Sequence, residues 1–274
     1  MANDFRFGVS LRTADSQTQV IAAARRAEDL GFDVLNVPDH LNATAPVATL
    51  MTAANATKTL RIGTFVLNAC FYKPALLARD VIALRDLSGG RFDLGLGAGY
   101  VREEFEAAEL PFPSARERID YLRHVTTHIR EHVPDVPILV AGNGDRLLTL
   151  AAETADIVGL TGGSHVPNEQ GDPLAERVAF VRNAAGERFA NLALGLGFTA
   201  IPADGTEVPD LSISRRFLPG LTDEELLRHP AVLSGSTTAI ADRLGELREN
   251  YGVSYFSVQG AHAETFAKVI AELR

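Results

Sequence analysis

Short apolar stretches alternate along the chain with longer segments in which apolar residues recur at helical spacing. Residues 5–11 are mostly apolar and bounded by polar residues, and a stripe of Val20, Ala24 and Ala27 follows them and ends at Gly31. A short apolar run predicts a buried strand, and a stripe at this spacing predicts an amphipathic helix. The same pattern continues to the end of the chain and predicts eight strands, at residues 5–11, 34–40, 61–68, 91–97, 137–141, 156–160, 191–198 and 254–258.

Two predicted helices have clear start signals. Pro74 follows the third predicted strand, and proline is tolerated in a first helical turn because the amides there lack intrahelical partners. Ser114 and Glu117 follow the fourth predicted strand at the spacing of a capping box, in which each side chain accepts a hydrogen bond from the other residue's free amide. We therefore expect the helix after the fourth strand to begin at Ser114.

The alternation of eight strands with helices indicates the fold class. The 274 residues give about 34 residues for each strand–helix unit. Strands that are apolar almost throughout are typical of parallel sheets covered by helices on both faces. We expect an α/β fold, a (β/α)8 TIM barrel, with a doubly wound open sheet as the alternative. One domain should span residues 1–274, with the Pro- and Gly-rich segments 161–173 and 202–230 as insertions at the mouth of the barrel.

Composition and charge exclude several classes of protein. The 26 Lys and Arg residues against 35 Asp and Glu residues give a net charge of −9, which repels nucleic-acid phosphates and anionic lipid surfaces. Cys70 is the only cysteine, which excludes an internal disulfide and a thiolate metal cage and favours a reducing compartment. No apolar run is long enough to span a membrane, and the start of the chain lacks signal-peptide features. We expect a cytoplasmic protein without nucleic-acid or membrane partners.

In a (β/α)8 barrel, residues at the carboxyl ends of the strands build the active site. In this sequence five predicted strands end in corners that contain polar residues or glycine. In chain order, the corners are Asp39 and His40; Asn68, Ala69 and Cys70; Gly97, Ala98, Gly99 and Tyr100; Gly142, Asn143 and Gly144; and Thr161, Gly162 and Gly163. We take these residues as the candidate site.

The corner formed by Gly142, Asn143 and Gly144 lies directly before a predicted helix. The free amides of a first helical turn and the positive end of the helix dipole accept an anion, with a charge–dipole contribution of about 0.3 to 1 kcal/mol. An ordinary tight turn explains the same residues equally well. Residues 95–99 lack the spacing of a dinucleotide fingerprint, so their glycines favour contact with a flat ring.

Histidines are the candidates for proton transfer. His40 follows Asp39 at a predicted strand end, and we take both as candidate catalytic residues, although a structural histidine and a capping aspartate are the plainer interpretation. His124, His128 and His132 form a row on one helix, a spacing that suggests a metal site. Their row points away from the apolar stripe of that helix, so we expect a solvated face and no bound metal.

Common catalytic motifs are missing from the sequence. It contains no H-E-x-x-H, P-loop, C-x-x-C or G-x-S-x-G segment, so a metalloprotease, a P-loop nucleotidase and a nucleophile-elbow hydrolase have no support. Cys70 is either a reactive thiol or a small apolar group in the core, and the second is the usual role of a buried cysteine.

Several segments together resemble one known family. They are residues 27–33, 38–40, 61–63 with Asn68, and 74–79, and the most specific are residues 87–100, 138–144 continuing into 150–157, and 233–244. With these segments the chain resembles the bacterial luciferase-like monooxygenase superfamily, in particular its coenzyme F420-dependent oxidoreductase branch. The resemblance covers nearly the whole chain and is weakest at residues 165–230.

The resemblance implies a barrel whose mouth holds a flavin or deazaflavin. By position in the family, the corner 68–70 lines the ring, with a non-prolyl cis peptide suggested there, and the corner 97–100 follows the ribityl chain. The corner 142–144 holds the phosphate, which agrees with the helix-dipole argument, and the corner 161–163 completes the cofactor-binding set. Asp39 and His40 match the position beside the reactive face of the ring.

The function that the resemblance implies is hydride transfer. We expect coenzyme F420, with FMN as the alternative, and an oxidoreductase that acts on a small organic substrate as a reductase, with His40 supplying or relaying the proton. The alternatives are a reduced-FMN-dependent monooxygenase and a non-catalytic flavin-binding barrel. In the family that the chain resembles, a sugar-phosphate dehydrogenase carries an aromatic residue after the Asp–His pair. This chain has no Trp there or elsewhere, so the resemblance does not favour a sugar phosphate as the substrate. A homodimer is expected because the family commonly associates through barrel helices.

Overall fold

The computed structural model describes residues 4–163 and 171–274. Within these residues, parallel strands form a barrel that α-helices surround. The strands are β1 Arg6–Ser10, β2 Val34–Val37, β3 Arg61–Thr64, β4 Leu67–Asn68, β5 Phe92–Gly97, β6 Ile138–Ala141, β7 Ile157–Leu160, β8 Ala193–Gly197 and β9 Val253–Gln259. The helices are α1 Gln17–Asp29, α2 Pro46–Ala56, α3 Pro74–Leu87, α4 Arg102–Ala107, α5 Ala115–His132, α6 Asp145–Thr154, α7 Pro173–Ala185, α8 Ser212–Phe217, α9 Asp223–Arg228, α10 Thr237–Tyr251 and α11 Ala263–Leu273.

The sheet closes on itself. Its order is β3-β2-β1-β9-β8-β7-β6-β5-β4, and β3 also pairs with β5. Strands β3 and β4 share one position in the barrel, because β3 pairs with the beginning of β5 at Phe92 and β4 pairs with its end at Leu96 and Gly97. The result is a closed parallel barrel of eight strand positions. This confirms the predicted (β/α)8 fold and excludes the open doubly wound sheet.

Two strands differ from their predicted bounds. Strand β2 ends at Val37, so Pro38, Asp39 and His40 belong to the loop that follows it. Proline has no N–H to donate to a neighbouring strand, which explains why the ladder ends before it. This places the Asp39–His40 pair just beyond the barrel wall, at the mouth.

The third predicted strand, residues 61–68, is divided into β3 and β4. A cis peptide bond joins Phe65 and Val66 in the interruption between them. The non-prolyl cis peptide that the resemblance suggests is therefore present in this part of the chain, but it precedes Asn68 and is not within the 68–70 corner. Residues 69–71 form a short 3-10 helix directly after β4.

The helix signals in the sequence have their expected structural effect. Helix α1 ends just before Gly31, which adopts a positive φ of 81°. Pro74 is the first residue of α3. Ser114 caps α5 with a capping box, since the Glu117 amide donates to Ser114 Oγ at 3.3 Å and the Ser114 amide donates to Glu117 Oε2 at 2.9 Å. The long helices were therefore predictable from local chemistry.

Short helices in the loops were not predicted. Helix α4 precedes the predicted start at Ser114 and buries only Phe105, so it has no apolar stripe to reveal it. Segment 202–230 contains α8 and α9 around an apolar cluster that includes Leu211 and Leu226. This segment follows the carboxyl end of β8, and residues 161–163 follow the carboxyl end of β7. Residues 164–170 of the predicted insertion 161–173 lie outside the described residues, and both insertions stay predictions.

The amino-terminal end of the barrel is closed by charged and aromatic side chains. Asp93, near the start of β5, forms ion pairs with Arg6 and with Arg61, the latter at 2.6 Å. Above them, the barrel interior is filled by a cluster that contains Tyr255 and Leu139. The carboxyl-terminal end, by contrast, carries the polar corners. The polar corners therefore all lie at one end of the barrel, the mouth.

Candidate active site

The five predicted corners lie at the mouth of the barrel. They follow β2, β4, β5, β6 and β7, which are parallel strands of one closed sheet. Parallel strands of a barrel all end on the same side, so the corners share one rim. In particular, His40 after β2 and Asn143 after β6 lie on the same side of the molecule, as a single site requires.

His40 and Glu104 form a close pair at the mouth. Nδ1 of His40 lies 2.9 Å from Oε1 and 3.2 Å from Oε2 of Glu104. The histidine comes from the loop after β2, and the glutamate lies in the first turn of α4, just beyond the β5 corner. A carboxylate only accepts hydrogen bonds, so Nδ1 carries a proton and Nε2 is the nitrogen that can exchange protons with a bound molecule. The two side chains remain 23% and 15% exposed, so the pair is reachable from solvent.

Tyr100 lies beside this pair. Its ring centroid is 6.3 Å from that of His40, and the two ring planes are 85° apart. The Tyr100 side chain is 66% exposed at the mouth. An exposed aromatic ring offers a flat apolar surface to a ligand.

Asp39 is held by a hydrogen bond from the Asn68 amide, which donates to its Oδ2 at 3.0 Å. Burial raises the pKa of Asp39, although this hydrogen bond and the nearby His40 act in the opposite direction. Burial and the negative charge of Asp39 raise the pKa of Tyr72 well above its usual value, so the Tyr72 hydroxyl keeps its proton. Asp39 thus ties the loop after β2 to the beginning of the β4 corner.

The β4 and β5 corners pack directly against each other. Asn68 Oδ1 accepts a hydrogen bond from the Cys70 amide at 3.1 Å, and the Cys70 thiol lies 3.7 Å from the Ala98 carbonyl oxygen. Gly99 has a positive φ of 70°, and a Cβ at this position would overlap the side chain of Asn68. Only glycine meets both conditions without strain. Burial raises the pKa of the Cys70 thiol, so this cysteine is not an activated nucleophile.

A buried arginine supports the β5 corner from outside. Arg118, near the start of α5, donates from Nε to the Gly99 carbonyl at 3.0 Å and from a terminal nitrogen to the Pro113 carbonyl at 2.5 Å. Its guanidinium also stacks over the Phe112 ring, with 4.3 Å between the guanidinium carbon and the ring centroid. The corner that carries Tyr100 and leads to Glu104 is therefore fixed to the helix layer.

The β6 and β7 corners are joined by side chains. The Thr161 hydroxyl donates a hydrogen bond to Asn143 Oδ1. Gly144 is the N-cap residue of α6 and provides no side-chain cap, so the first-turn amides of this helix lack a side-chain acceptor at the cap position. Asp145 in that first turn forms an ion pair with Arg177 at 2.5 Å. The corner therefore presents backbone donors, together with an arginine close by.

Gly162 and Gly163 have a different environment from the other corner residues. A Cβ at Gly162 would lie 2.8 Å from His229, and one at Gly163 would lie 2.7 Å from Pro173. His229 is buried and its Nε2 lies 3.3 Å from the Gly163 carbonyl oxygen. Gly162 therefore allows the 202–230 segment to pack closely on the β7 corner, and Gly163 allows Pro173 at the start of α7 to do so. Thr161 is the exposed member of this corner.

The row of histidines on α5 lies on a solvated face, as predicted. His124 and His132 are exposed, and His128 is half-buried and stacks on His132 with 4.0 Å between the ring centroids. Within residues 4–163 and 171–274, no three His, Cys, Asp or Glu side chains form a group that could hold a metal ion. No helix of the same residues is long and apolar enough to cross a membrane.

A comparison with protein families identifies the fold family. The model of the luciferase-like monooxygenase family matches residues 4–220, which is more than half of the chain. This chain belongs to the luciferase-like monooxygenase family. The match confirms the resemblance that the sequence segments indicate, and it includes all five corners of this luciferase-like barrel.

Curated relatives of this luciferase-like chain are oxidoreductases by name. A 5,10-methylenetetrahydromethanopterin reductase of Methanolobus tindarius is 30% identical over 179 residues, which cover 58% of this chain and 54% of the relative. An F420-dependent glucose-6-phosphate dehydrogenase of Amycolatopsis mediterranei is 34% identical over 121 residues, which cover 41% of this chain and 36% of the relative. The chain thus spans about half, or less, of the length of these curated relatives.

Solved structures confirm the architecture. The coenzyme F420-dependent tetrahydromethanopterin reductase of Methanopyrus kandleri superposes with a TM-score of 0.76 over 99% of this chain and 100% of that chain. The two sequences are only 19% identical in this superposition, so it establishes the fold alone.

Two polar residues at this mouth were not predicted from the sequence. Glu104 lies on the unpredicted helix α4, and Tyr72 lies two residues beyond the β4 corner. The only sequence feature that could have indicated Glu104 is the acidic start of α4, where Glu103 and Glu104 follow the glycine-rich β5 corner. Nothing in the local pattern distinguishes these two glutamates, because the contact with His40 is made across 64 residues of chain.

Proposed function

We propose that this chain is an oxidoreductase that uses coenzyme F420 to transfer hydride between the deazaflavin and a small organic substrate, acting as a reductase. The observation that carries the proposal is the His40–Glu104 pair at the mouth of a luciferase-like barrel. The name of the Amycolatopsis mediterranei relative states F420 dependence, which supports the choice of cofactor.

The residues at the mouth fit the two ends of such a cofactor. At the β6 corner, a Cβ at Gly144 would meet no atom within 4 Å, so an anion can approach the uncapped amides of α6. We infer that Gly142, Asn143 and Gly144 hold the phosphate, with Thr161 orienting Asn143. The negative charge of Asp145 opposes an anion there, but its ion pair with Arg177 offsets this charge.

The ring of the cofactor fits the β4 and β5 corners, which pack against each other. Segments 68–70 and 97–100 form a continuous surface, because Gly99 lies against Asn68 and Cys70 contacts Ala98. Glycine and alanine backbone at Gly97, Ala98 and Gly99 allows a planar ring to approach closely. We infer that this surface holds the ring and its side chain, and that Tyr100 contacts the ligand near His40.

The proton chemistry belongs to His40. Glu104 accepts a hydrogen bond from Nδ1, which orients the imidazole. Nε2 then gives or takes the proton that accompanies hydride transfer. The bound cofactor supplies the hydride chemistry. Asp39, predicted as catalytic, is held by the Asn68 amide, and we propose that it positions His40.

A reduced-FMN-dependent monooxygenase is the second candidate function. The match to a family described as luciferase-like monooxygenase favours it, because that description covers oxygen-dependent chemistry. The same mouth and the same phosphate corner would serve FMN. The two functions differ in their need for oxygen, which makes them separable by experiment.

The substrate is proposed only as a class, a small organic molecule. The chain has no Trp, and Leu41, which is exposed, follows His40. The aromatic residue that the sequence comparison associates with a sugar-phosphate substrate is therefore missing. We propose that segment 202–230, with its own apolar cluster beside the mouth, contributes to substrate selection together with segment 161–173.

Three further features of the protein are proposals. We propose a cytoplasmic enzyme, in agreement with its single cysteine and negative charge, and one catalytic domain over residues 1–274.

We also propose a homodimer. Leu76 and Leu87 are 54% and 67% exposed on α3 and lie three helical turns apart on one face, where a second copy could cover them. Light scattering of the wild type and of Leu76→Asp, which would dissociate such a dimer, tests this contact.

The test of the function is a turnover assay under two atmospheres. Purified protein is incubated with reduced F420, or with reduced FMN, and a panel of unsaturated organic acceptors, in the presence and absence of oxygen. The proposal expects oxidation of reduced F420 that depends on the acceptor and on His40, and that continues without oxygen. Oxygen-dependent turnover with FMN alone would establish the monooxygenase. Binding of the cofactor without turnover of any acceptor under either atmosphere, unchanged in His40→Ala, would indicate a non-catalytic binding protein.

A further inference from the structure

Arg118 holds both ends of the segment that carries Glu104. Its Nε donates to the Gly99 carbonyl at 3.0 Å, directly before this segment, and a terminal nitrogen donates to the Pro113 carbonyl at 2.5 Å, directly after it. The segment between these two carbonyls, residues 100–112, leaves the barrel at the β5 corner, contains α4 and returns to the start of α5. One side chain on α5 therefore closes the whole loop.

Aromatic contacts extend this restraint to the residue next to Glu104. The guanidinium carbon of Arg118 lies 4.3 Å from the centroid of the Phe112 ring. The Phe112 ring packs edge-on against the ring of Phe105, with 5.0 Å between the ring centroids. Phe105 is buried and directly follows Glu104 on α4. The orientation of α4 thus depends on a stack of side chains that begins at Arg118.

The contact between Glu104 and His40 is sensitive to the position of α4. This helix has only six residues, and isolated helices shorter than about 12 residues are marginal in water, so its packing contacts hold it in place. The two side chains lie 2.9 Å apart, and a separation beyond about 3.5 Å would leave no hydrogen bond. A small displacement of α4 is therefore enough to release the imidazole.

The contacts of Arg118 require the shape of a guanidinium group. Arg118 is 9% exposed, and the removal of a charge from water is costly unless hydrogen bonds replace the lost hydration. The planar guanidinium carries its donors in fixed directions, so it can bind two carbonyl oxygens and stack on a ring at the same time. A lysine has one charged nitrogen and no planar surface, so it cannot make all three contacts together.

We propose that Arg118 is a positioning residue of this site. By closing the 100–112 segment, it sets the position of Glu104 relative to His40. The proposal rests on the proposed function only in its kinetic test, where His40 is taken as the group that transfers the proton. The geometry itself is a property of the protein without cofactor.

The first experiment measures this geometry in the protein without cofactor. Crystal structures are determined for the wild type and for Arg118→Lys, which keeps the charge but loses the fork of donors. Arg91→Lys is the matched control. Arg91 also donates to two backbone carbonyls, those of Leu60 and Ala54, at 2.7 and 2.9 Å, but it directly precedes β5 and so lies at the opposite end of the barrel.

The expected structural result is a separation of the pair in one variant only. In Arg118→Lys, the distance from His40 Nδ1 to the nearer Glu104 oxygen should exceed about 3.5 Å, and in Arg91→Lys it should match the wild type. An unchanged distance in Arg118→Lys, or an equal separation in both variants, overturns the proposal. If Arg118→Lys fails to fold, Phe112→Leu, which removes the stacked ring and keeps the arginine, is judged by the same two outcomes.

A double-mutant cycle separates positioning from general structural support. In turnover with reduced F420, Arg118→Lys alone should lower kcat by about tenfold or more, since proton transfer by a positioned side chain contributes roughly 10² to 10⁴. In the Glu104→Gln background the same change should lower kcat by no more than about twofold, because the contact through which it acts is already impaired. Equal losses in both backgrounds contradict a role through Glu104. If the crystal structures show the expected separation but the wild type does not oxidise reduced F420, the positioning role stands and the proposed function fails.

Discussion

Nδ1 of His40 lies 2.9 Å from Oε1 of Glu104 across the mouth of the barrel. This contact joins the loop after β2 to the first turn of α4 and leaves Nε2 of the imidazole for another molecule. A histidine oriented by a carboxylate is the arrangement that general acid–base catalysis uses. The proposed hydride-transfer function depends on this pair more than on any other contact in the site.

Replacing Glu104 by Gln should reduce turnover while cofactor binding stays the same. The glutamine keeps the size of the side chain but removes the carboxylate that orients the imidazole. A loss of about tenfold or more in kcat is expected, because proton transfer by a positioned side chain contributes roughly 10² to 10⁴. Glu103→Gln, an exposed neighbour in the same helical turn, is the control. Equal kcat for both variants would show that Glu104 does not support the histidine.

An aspartate at position 144 should affect stability and cofactor binding in opposite directions. Gly144 has the extended conformation of an N-cap residue and free space around it, so Asp fits and can cap α6. The gain in unfolding free energy is a few tenths of a kcal/mol. The added charge should weaken F420 binding by about tenfold or more, which corresponds to about 1.4 kcal/mol.

The control for this prediction is Ser236→Asp, the same change in charge at the N-cap of α10. It should leave the Kd for F420 unchanged. Calorimetric titration and thermal unfolding of both variants provide the comparison. If the Kd for F420 of Gly144→Asp equals that of the wild type, the phosphate does not bind at this corner.

Gly99→Ala should destabilise the protein more than Gly89→Ala does. The two glycines have similar backbone angles, with φ of 70° and 68°, so alanine has a similar backbone cost of about 1 kcal/mol at both positions. At Gly99 the new Cβ would also overlap Asn68, whereas at Gly89 it would meet no atom within 4 Å. The additional loss at Gly99 should be about 1 to 3 kcal/mol. Urea unfolding measures the difference, and equal losses would contradict the tight packing of the two corners.

The contribution of Glu28 to stability should depend on pH. Burial raises the pKa of Glu28, but hydrogen bonds from Thr59, Leu60 and Lys58 outweigh this effect and lower it from 4.5 to about 2. A lowered pKa in the folded state means that the stabilisation is complete above pH 4.5 and is lost as the pH falls toward 2.

The test for Glu28 compares the unfolding free energy of wild type and Glu28→Gln across this range. Above pH 5 the variant should be less stable by about 1 kcal/mol, a value reduced for solvent screening, and the difference should shrink below that pH. Glu131→Gln, at an exposed position on α5, should show no such trend. A difference that is independent of pH would exclude the charge as its source.

The parts of the fold that local chemistry determines were predictable from the sequence. Gly31 ends α1 and the Ser114–Glu117 box begins α5 because each effect is made within a few residues. The apolar strands and their number indicated the barrel, since burial on both faces leaves a continuous apolar run. Helix α4 escaped prediction because it buries a single apolar side chain.

The site was predictable only as a set of corners. Strand ends located His40 and Asn143 at one mouth because all strands of a parallel barrel end on the same side. The contacts of His40 with Glu104 and of Asp39 with Asn68 depend on how distant loops meet. Such pairings follow from the closed three-dimensional arrangement and leave no periodic pattern in the sequence.

The most direct measurement of the central claim is an equilibrium titration of the wild-type protein with F420 and with FMN, followed by the absorbance and fluorescence of each ligand. The account predicts saturable binding of F420 at one site per chain, weaker binding of FMN, and loss of F420 affinity in Gly144→Asp. Failure of F420 to bind, or tighter binding of FMN, would contradict it.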